Sequence, residues 1–257
     1  MITQWQKGGI RGKNLNMDLG SPVTHLLVDL DGTLLGNRSL ALGVDFARQA
    51  VKRMTTYTSW RRGVKILLEM NREFGRVSPD ITNDIRVVEI FAKRLKMPAD
   101  EARKVLRESL FVIFPGLEKH FYPMPGAKDF LDWAKERYTL ILATNPVWPP
   151  EIIELRVKWA GVDPKIFADI THVRAMRSCK PTREYYQQIL SAHTLEAESC
   201  LLIGNDVKMD LPATRVGIRT FIVGKYKKST ALRLKGAKAD AWRGAFPHLK
   251  TALADQR

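Results

Sequence analysis

The sequence predicts an α/β fold, a parallel sheet with helices on both faces, interrupted by an all-helical insertion. Three observations carry this. Short apolar runs stop at polar or turn-forming residues. Helical patterns alternate with those runs, the order that builds a covered parallel sheet. Between about Leu40 and about His120 the alternation lapses, and helical periodicity continues with almost no strand signal.

Leu26–Val28, Leu140–Ala143, Leu201–Ile203 and Phe221–Val223 read as strands buried on both faces, and Ile166–Thr171 as a weaker fifth. Ala127–Arg137 places Phe130, Leu131 and Trp133-Ala134 on one side of a helix. Glu151–Ala160 follows Pro149-Pro150 and stops at Gly161. Thr182–Ala192 begins after Pro181, and Leu211–Val216 ends at Gly217. The insertion reads as four helices, Ala41–Tyr57, Trp60–Phe74, Asn83–Leu95 and Ala99–Phe114, with Pro79, Pro98, Pro115 and Gly116 between and after them. The expected organisation is a flexible tail over 1–21, a catalytic core from 22–39 and 121–257, and a helical insertion over 40–120.

Of the 257 residues, 45% are hydrophobic, enough for a sizeable core. No apolar run approaches the ~20 residues of a membrane span. Cys179 and Cys200 have no paired spacing, so reduced thiols and a cytoplasmic location are expected. The net charge of +15 is spread along the chain and accompanies no nucleic-acid-binding motif. That favours a basic enzyme with an anionic substrate over a nucleic-acid binder.

In open parallel sheets, ligands bind beyond the carboxyl ends of the strands. Asp29, Thr144 and Asp206 each follow an apolar run at that end, so one crevice gathers them. Asp29 and Asp31 lie two apart, followed by Gly32 and Thr33. One carboxylate can attack phosphorus while the other serves the leaving group and then the water. Held close, they repel unless a cation intervenes. Asp206 and Asp210 are the natural site for that cation, since Mg²⁺ takes a few carboxylates plus water and phosphate oxygens. Asp210 also begins the next helix, where it either caps the helix or supports the metal. Thr144 offers a hydroxyl and Asn145 an amide. Lys180 sits at a helix start, where a cation gains nothing from the helix dipole; phosphate and the crowded aspartates give it a purpose. The five histidines show no metal-ligand spacing.

In this order, Asp29-Leu-Asp31-Gly-Thr33, Thr144-Asn145, Lys180-Pro181 and Gly204-Asn205-Asp206 with Asp210 resemble the four motifs of the haloacid dehalogenase superfamily. The resemblance covers about Val23 to Val223. Ala143-Thr-Asn-Pro, Arg156 with Trp159-Ala-Gly161, and Cys179-Lys-Pro narrow it to a bacterial branch of hydrolases. The resemblance implies a Rossmann-like core and a helical cap inserted after the first motif. It implies Asp29 as nucleophile and Asp31 as general acid, then base. It implies Mg²⁺ held by Asp29, Asp206 and the Asp31 carbonyl, with Asp210 completing the acidic motif. Thr144 and Lys180 would stabilise the phosphoryl oxygens, and Thr33 and Asn145 would contact the substrate. Dehalogenases of this superfamily lack the second aspartate, so Asp31 argues for phosphate esters. Asn205 stands where many members carry the first aspartate of the fourth motif.

The expected function is a Mg²⁺-dependent phosphatase acting on a small phosphorylated metabolite through an aspartyl-phosphate. A sugar phosphomutase is the alternative within the superfamily. A non-catalytic phosphate- or nucleic-acid-binding protein is a more distant one, disfavoured by the retained Asp29 and Asp31. Arg61, Arg62, Lys65, Arg72 and Trp148 are placed to face either substrate or solvent.

Overall fold

A computed structural model describes residues 17, 19–224 and 241–255. Its main sheet has six parallel strands in the order β5-β4-β1-β6-β7-β8. These are β1 (His25–Val28), β4 (Thr139–Leu142), β5 (Asp169–Ile170), β6 (Cys200–Gly204), β7 (Arg219–Val223) and β8 (Ala241–Gly244). Alternation along the central strands explains the two covered faces. Leu26, Val28, Leu140, Leu142, Leu201 and Ile203 join one buried cluster. Leu27, Ile141 and Leu202 join the other. Both sets are apolar, as a strand sandwiched between helices requires.

The first face is covered by α5 (Ala127–Ala134), α6 (Pro150–Trp159) and α8 (Phe246–Ala254), through Phe130, Ile153, Val157 and Leu249. The second is covered by α7 (Arg183–Ala192), through Tyr185, Tyr186 and Ile189. Pro150 suits the first turn of α6, where its missing N–H costs nothing. Gly161 ends that helix at φ +74, a conformation that strains any residue with a Cβ.

Three expectations are corrected. The fifth strand shrinks to two residues, because Pro164–Ile166 forms a 3-10 turn in which the Asp163 carboxylate accepts from Lys165 N. Leu211–Val216 is a 3-10 segment, not an α-helix. The loose tail ends earlier than residue 21: Met17 and Leu19 are buried, and the buried Arg219 guanidinium donates to the carbonyls of Leu19 and Ser21. Residues 1–16 of that tail lie outside the described residues. Strand β8 had no counterpart in the sequence reading.

A second, two-stranded sheet pairs β2 (Leu35–Asn37) antiparallel with β3 (Phe121–Pro123). Between them run α1 (Ser39–Met54), α2 (Trp60–Glu73), α3 (Asn83–Leu95), α4 (Ala99–Ile113) and a 3-10 segment, Phe114–His120. These follow the expected helices to within a few residues. They have their own apolar cluster, built from Met54, Ile66, Val88, Phe91 and Val105. Where β3 meets the helices, the Asp45 carboxylate of α1 receives Lys119 at 2.9 Å and His120 at 3.0 Å.

Candidate active site

Strands β4, β1 and β6 are neighbours and parallel, so Thr144, Asp29 and Asn205 emerge at the same sheet edge. Asp29 directly follows β1, with its N–H bonded to Ile203 O at 2.8 Å. Its carboxylate is buried and held from two sides. Lys180 Nζ donates to Oδ1 at 2.8 Å, and Thr33 Oγ1 donates to Oδ2 at 2.9 Å. Gly32 turns the chain at φ +79. A Cβ there would lie 2.2 Å from Asn205 Nδ2, so the Asn205 side chain packs directly on the first-motif turn.

Lys180 is shared. Its Nζ also donates to Asp210 Oδ1 at 2.6 Å. Burial alone would lower the ammonium's pKa, but Asp210 and Asp29 outweigh it and hold it well above its ordinary value. Burial raises the Asp29 carboxyl to about 7; Lys180 opposes the rise, and Asp210 and Asp31 reinforce it. The cluster therefore holds Lys180 in its charged form, and burial raises the Asp29 carboxyl beside it.

Asp210 is buried with both oxygens engaged. Oδ2 accepts from the backbone N–H groups of Asn205 at 3.0 Å and Asp206 at 2.9 Å. Its side chain makes no cap bond to the following 3-10 segment. The helix-cap alternative is thus not realised: Asp210 anchors Lys180 and shapes the fourth-motif loop. Asp206 is exposed, and its Oδ1 accepts from Lys208 N at 2.7 Å. Among the described residues no group of three or more His, Cys, Asp and Glu gathers as a metal site. The carboxylates expected to form one are split between the buried lysine, the exposed loop and the mouth of the crevice.

Hard oxygen donors for a cation are nonetheless close together. Asn205 Oδ1 lies 3.4 Å from Thr33 Oγ1, the hydroxyl that also bonds Asp29. Carboxylate and amide oxygens of this kind suit Mg²⁺, which completes its shell with water and phosphate. Thr33 is fully buried, and its hydroxyl bonds Asp29 and Asn205.

Thr144 is buried, and its Oγ1 has no hydrogen-bond partner among the described residues. Its carbonyl is pinned by Thr171 Oγ1 at 2.7 Å and Tyr185 OH at 2.8 Å. A buried orphan hydroxyl is costly unless a ligand meets it. Asn145 Oδ1 accepts from Lys180 N at 3.2 Å, joining the second-motif loop to the third.

Asp31 sits at the mouth, with 44% of its side chain exposed. The buried Arg156 of α6 donates to its Oδ1 and stacks over Phe121, 5.5 Å from the ring centre. Arg156 was noted in the sequence as part of a resemblance, without a role. Two further residues were missed. Asn83 Nδ2 donates to Pro146 O at 3.2 Å, Ser178 O at 3.4 Å and Cys179 Sγ at 3.4 Å. Arg86 Nη atoms reach the carbonyls of Arg76 and Arg177 and the Asn83 side chain. Nothing in local sequence marks a helix residue as the partner of loops about sixty and ninety residues away.

This fold and this grouping of carboxylates, lysine and hydroxyl define a hydrolase of the haloacid dehalogenase class. Residues 23–216 match the sequence profile of the haloacid dehalogenase-like hydrolases, and the chain belongs to that family. No curated protein matches it in sequence. Among solved structures, a 2-haloacid dehalogenase from Pseudomonas syringae pv. tomato superposes with a TM-score of 0.57 at 18% identity, covering 91% of this chain and 100% of its own. A haloacid dehalogenase-type phosphatase from Thermococcus onnurineus reaches 0.53 at 15% identity, covering 90% and 98%. The magnesium-bound protein YfnB from Bacillus subtilis reaches 0.51 at 18% identity, covering 91% and 99%. At these identities the likeness is one of fold. No helix among the described residues is long and apolar enough to cross a membrane.

Proposed function

We propose that this hydrolase is a Mg²⁺-dependent phosphatase working through an aspartyl-phosphate on Asp29. The observation that carries the proposal is the division of labour between two carboxylates. Asp29 is buried and fixed by Lys180 and Thr33, while Asp31 stands at the mouth, positioned by Arg156. A nucleophile needs the first environment, and a proton carrier that must meet both alcohol and water needs the second.

An Asp29 oxygen attacks phosphorus as the ester P–O bond breaks. Asp31 gives its proton to the departing alcohol. Asp31 then takes a proton from water, whose oxygen attacks phosphorus and frees Asp29 and inorganic phosphate. Lys180 and the unpartnered Thr144 hydroxyl meet the phosphoryl oxygens, charge and hydrogen bond preset where negative charge builds. Asp29, the Asp31 carbonyl and the Asn205 amide oxygen would hold Mg²⁺. When bound, the ion neutralises the carboxylate–phosphate repulsion at that edge. The helices between β2 and β3 act as a cap over the crevice.

The test offers purified protein a panel of phosphate esters and 2-haloacids, with Mg²⁺ or a chelator. The proposal expects phosphate release that requires Mg²⁺ and disappears in Asp29→Asn. Halide release without phosphate release would refute it.

A further inference from the structure

A cavity of about 330 Å³ lies among α1–α4 and the loop that follows Thr144. Its walls include Phe46, Leu67, Met70, Val88, Phe91 and Trp148. Helices that merely packed on one another would close such a space, because protein interiors fill to crystal-like density. This volume falls in the range of small-molecule sites.

Two features connect the cavity to the catalytic edge. Its lining includes Val147–Pro149, and Val147 is three residues beyond Thr144. Three residues of chain span at most ~10 Å, so a molecule whose phosphoryl group meets Thr144 can reach this part of the lining with its other end. Phe46 and Trp148, both lining the cavity, also pack with Phe114 as one aromatic cluster, ring centres 5.0 to 6.2 Å apart, tying α1 to that loop.

The lining also selects. Its polar side chains are few beside the apolar ones: the Ser109 hydroxyl is committed to Val105 O at 2.7 Å and Asp84 is paired with Arg103, while Tyr57 and Asn71 are exposed. A polyol placed against Phe46, Leu67, Met70, Val88 and Phe91 would bury hydroxyls without partners there. Exposed Arg53, Arg107 and Arg174 border the cavity and favour an anionic visitor. Arg61, Arg62, Lys65 and Arg72, singled out in the sequence, are exposed and do not line it.

We propose that the cavity takes the alcohol part of the substrate, and that this part is apolar: an alkyl or aromatic phosphate monoester, not a sugar phosphate. The proposal rests on the phosphatase reading for the position of the phosphoryl group. Its test measures binding without turnover, so that the two can fail separately. Hexylphosphonate and dihydroxypropylphosphonate, which no phosphatase cleaves at their P–C bond, are titrated into wild-type protein with Mg²⁺ by calorimetry. Hexylphosphonate should bind at least tenfold more tightly. Val88→Trp, which fills the cavity, should remove the difference. If that variant does not fold, Ser109→Leu makes a smaller filling with the same expectation. Hexylphosphonate should also change the tryptophan fluorescence of wild type and not of Trp148→Phe. Equal affinities, tighter binding of the diol, or a preference that survives filling in a folded variant overturns the proposal. Tight hexylphosphonate binding with no ester hydrolysed upholds the ligand class and overturns the phosphatase reading instead.

Discussion

Asn83 donates its side-chain amide to the carbonyl of Pro146, 3.2 Å away and two residues after Thr144. The same amide reaches Ser178 and Cys179, immediately before Lys180. One fully buried residue at the start of α3 thus ties together the loops that carry the hydroxyl and the ammonium of the site. Asn83→Ala leaves buried acceptors unpaired and should cost about 1–3 kcal/mol. Displacing Thr144 and Lys180 should also lower kcat by roughly 10–100-fold. Thermal melts and steady-state kinetics measure the two effects; a lowered Tm with unchanged kcat would make Asn83 a structural residue alone.

Asp210→Ala should be far more damaging than Asp206→Ala. It strips Lys180 of its 2.6 Å partner and orphans two loop N–H groups. Breaking a buried ion pair from one side costs about 3–5 kcal/mol. Asp206 is exposed, and its loss should stay within about 0.5 kcal/mol. Sequence alone favoured the opposite order for metal dependence. Denaturant melts of both variants decide the stability order, and Mg²⁺ titrations of activity decide the other.

Mg²⁺ binding should release protons near neutrality. The Asp29 carboxyl, raised to about 7 by burial, is partly protonated there. A cation accepts only the carboxylate form, so binding expels the proton. Release should grow as the pH falls below the raised value and vanish well above it. Titrating Mg²⁺ into weakly buffered protein reads this directly, and Asp29→Asn should abolish it.

Neither cysteine should react in the native protein. Burial pushes the Cys179 thiol up to about 12 and also raises Cys200. Thiolate, the reactive form, is then scarce at pH 8. Iodoacetamide followed by mass spectrometry should find both unlabelled in buffer and labelled in urea. Rapid native labelling of Cys179 would mean that its loop opens, and Lys180 with it.

Strands β1, β4, β6 and β7 were legible because each is an apolar run stopped by a polar residue. The four inserted helices were legible from periodicity and proline punctuation. Asp29, Thr144 and Lys180 followed from the parallel-sheet rule and the motif order. The partners of those residues were not legible. That Asp210 serves Lys180, that Thr33 serves Asp29, and that Asn83 reaches Pro146 depend on tertiary approach, which no local pattern encodes. Excising residues 40–120 would take Asn83 and Arg86 from the loops at Pro146, Arg177 and Ser178 and leave their carbonyls without these donors.

The β2–β3 pair has a further consequence. Asn37 lies opposite Phe121, so the helices leave and rejoin the sheet region side by side. Lengthening a connection whose ends already meet costs only about 0.6 kcal/mol per doubling. Descendants of this gene can therefore lengthen the turns between α1, α2 and α4 and their neighbours at little cost, whereas the first turn of α3 must keep its register with the loops it grips. Variation in length and variation in chemistry are thereby uncoupled, which lets such a lineage explore new substrates without rebuilding its catalytic edge.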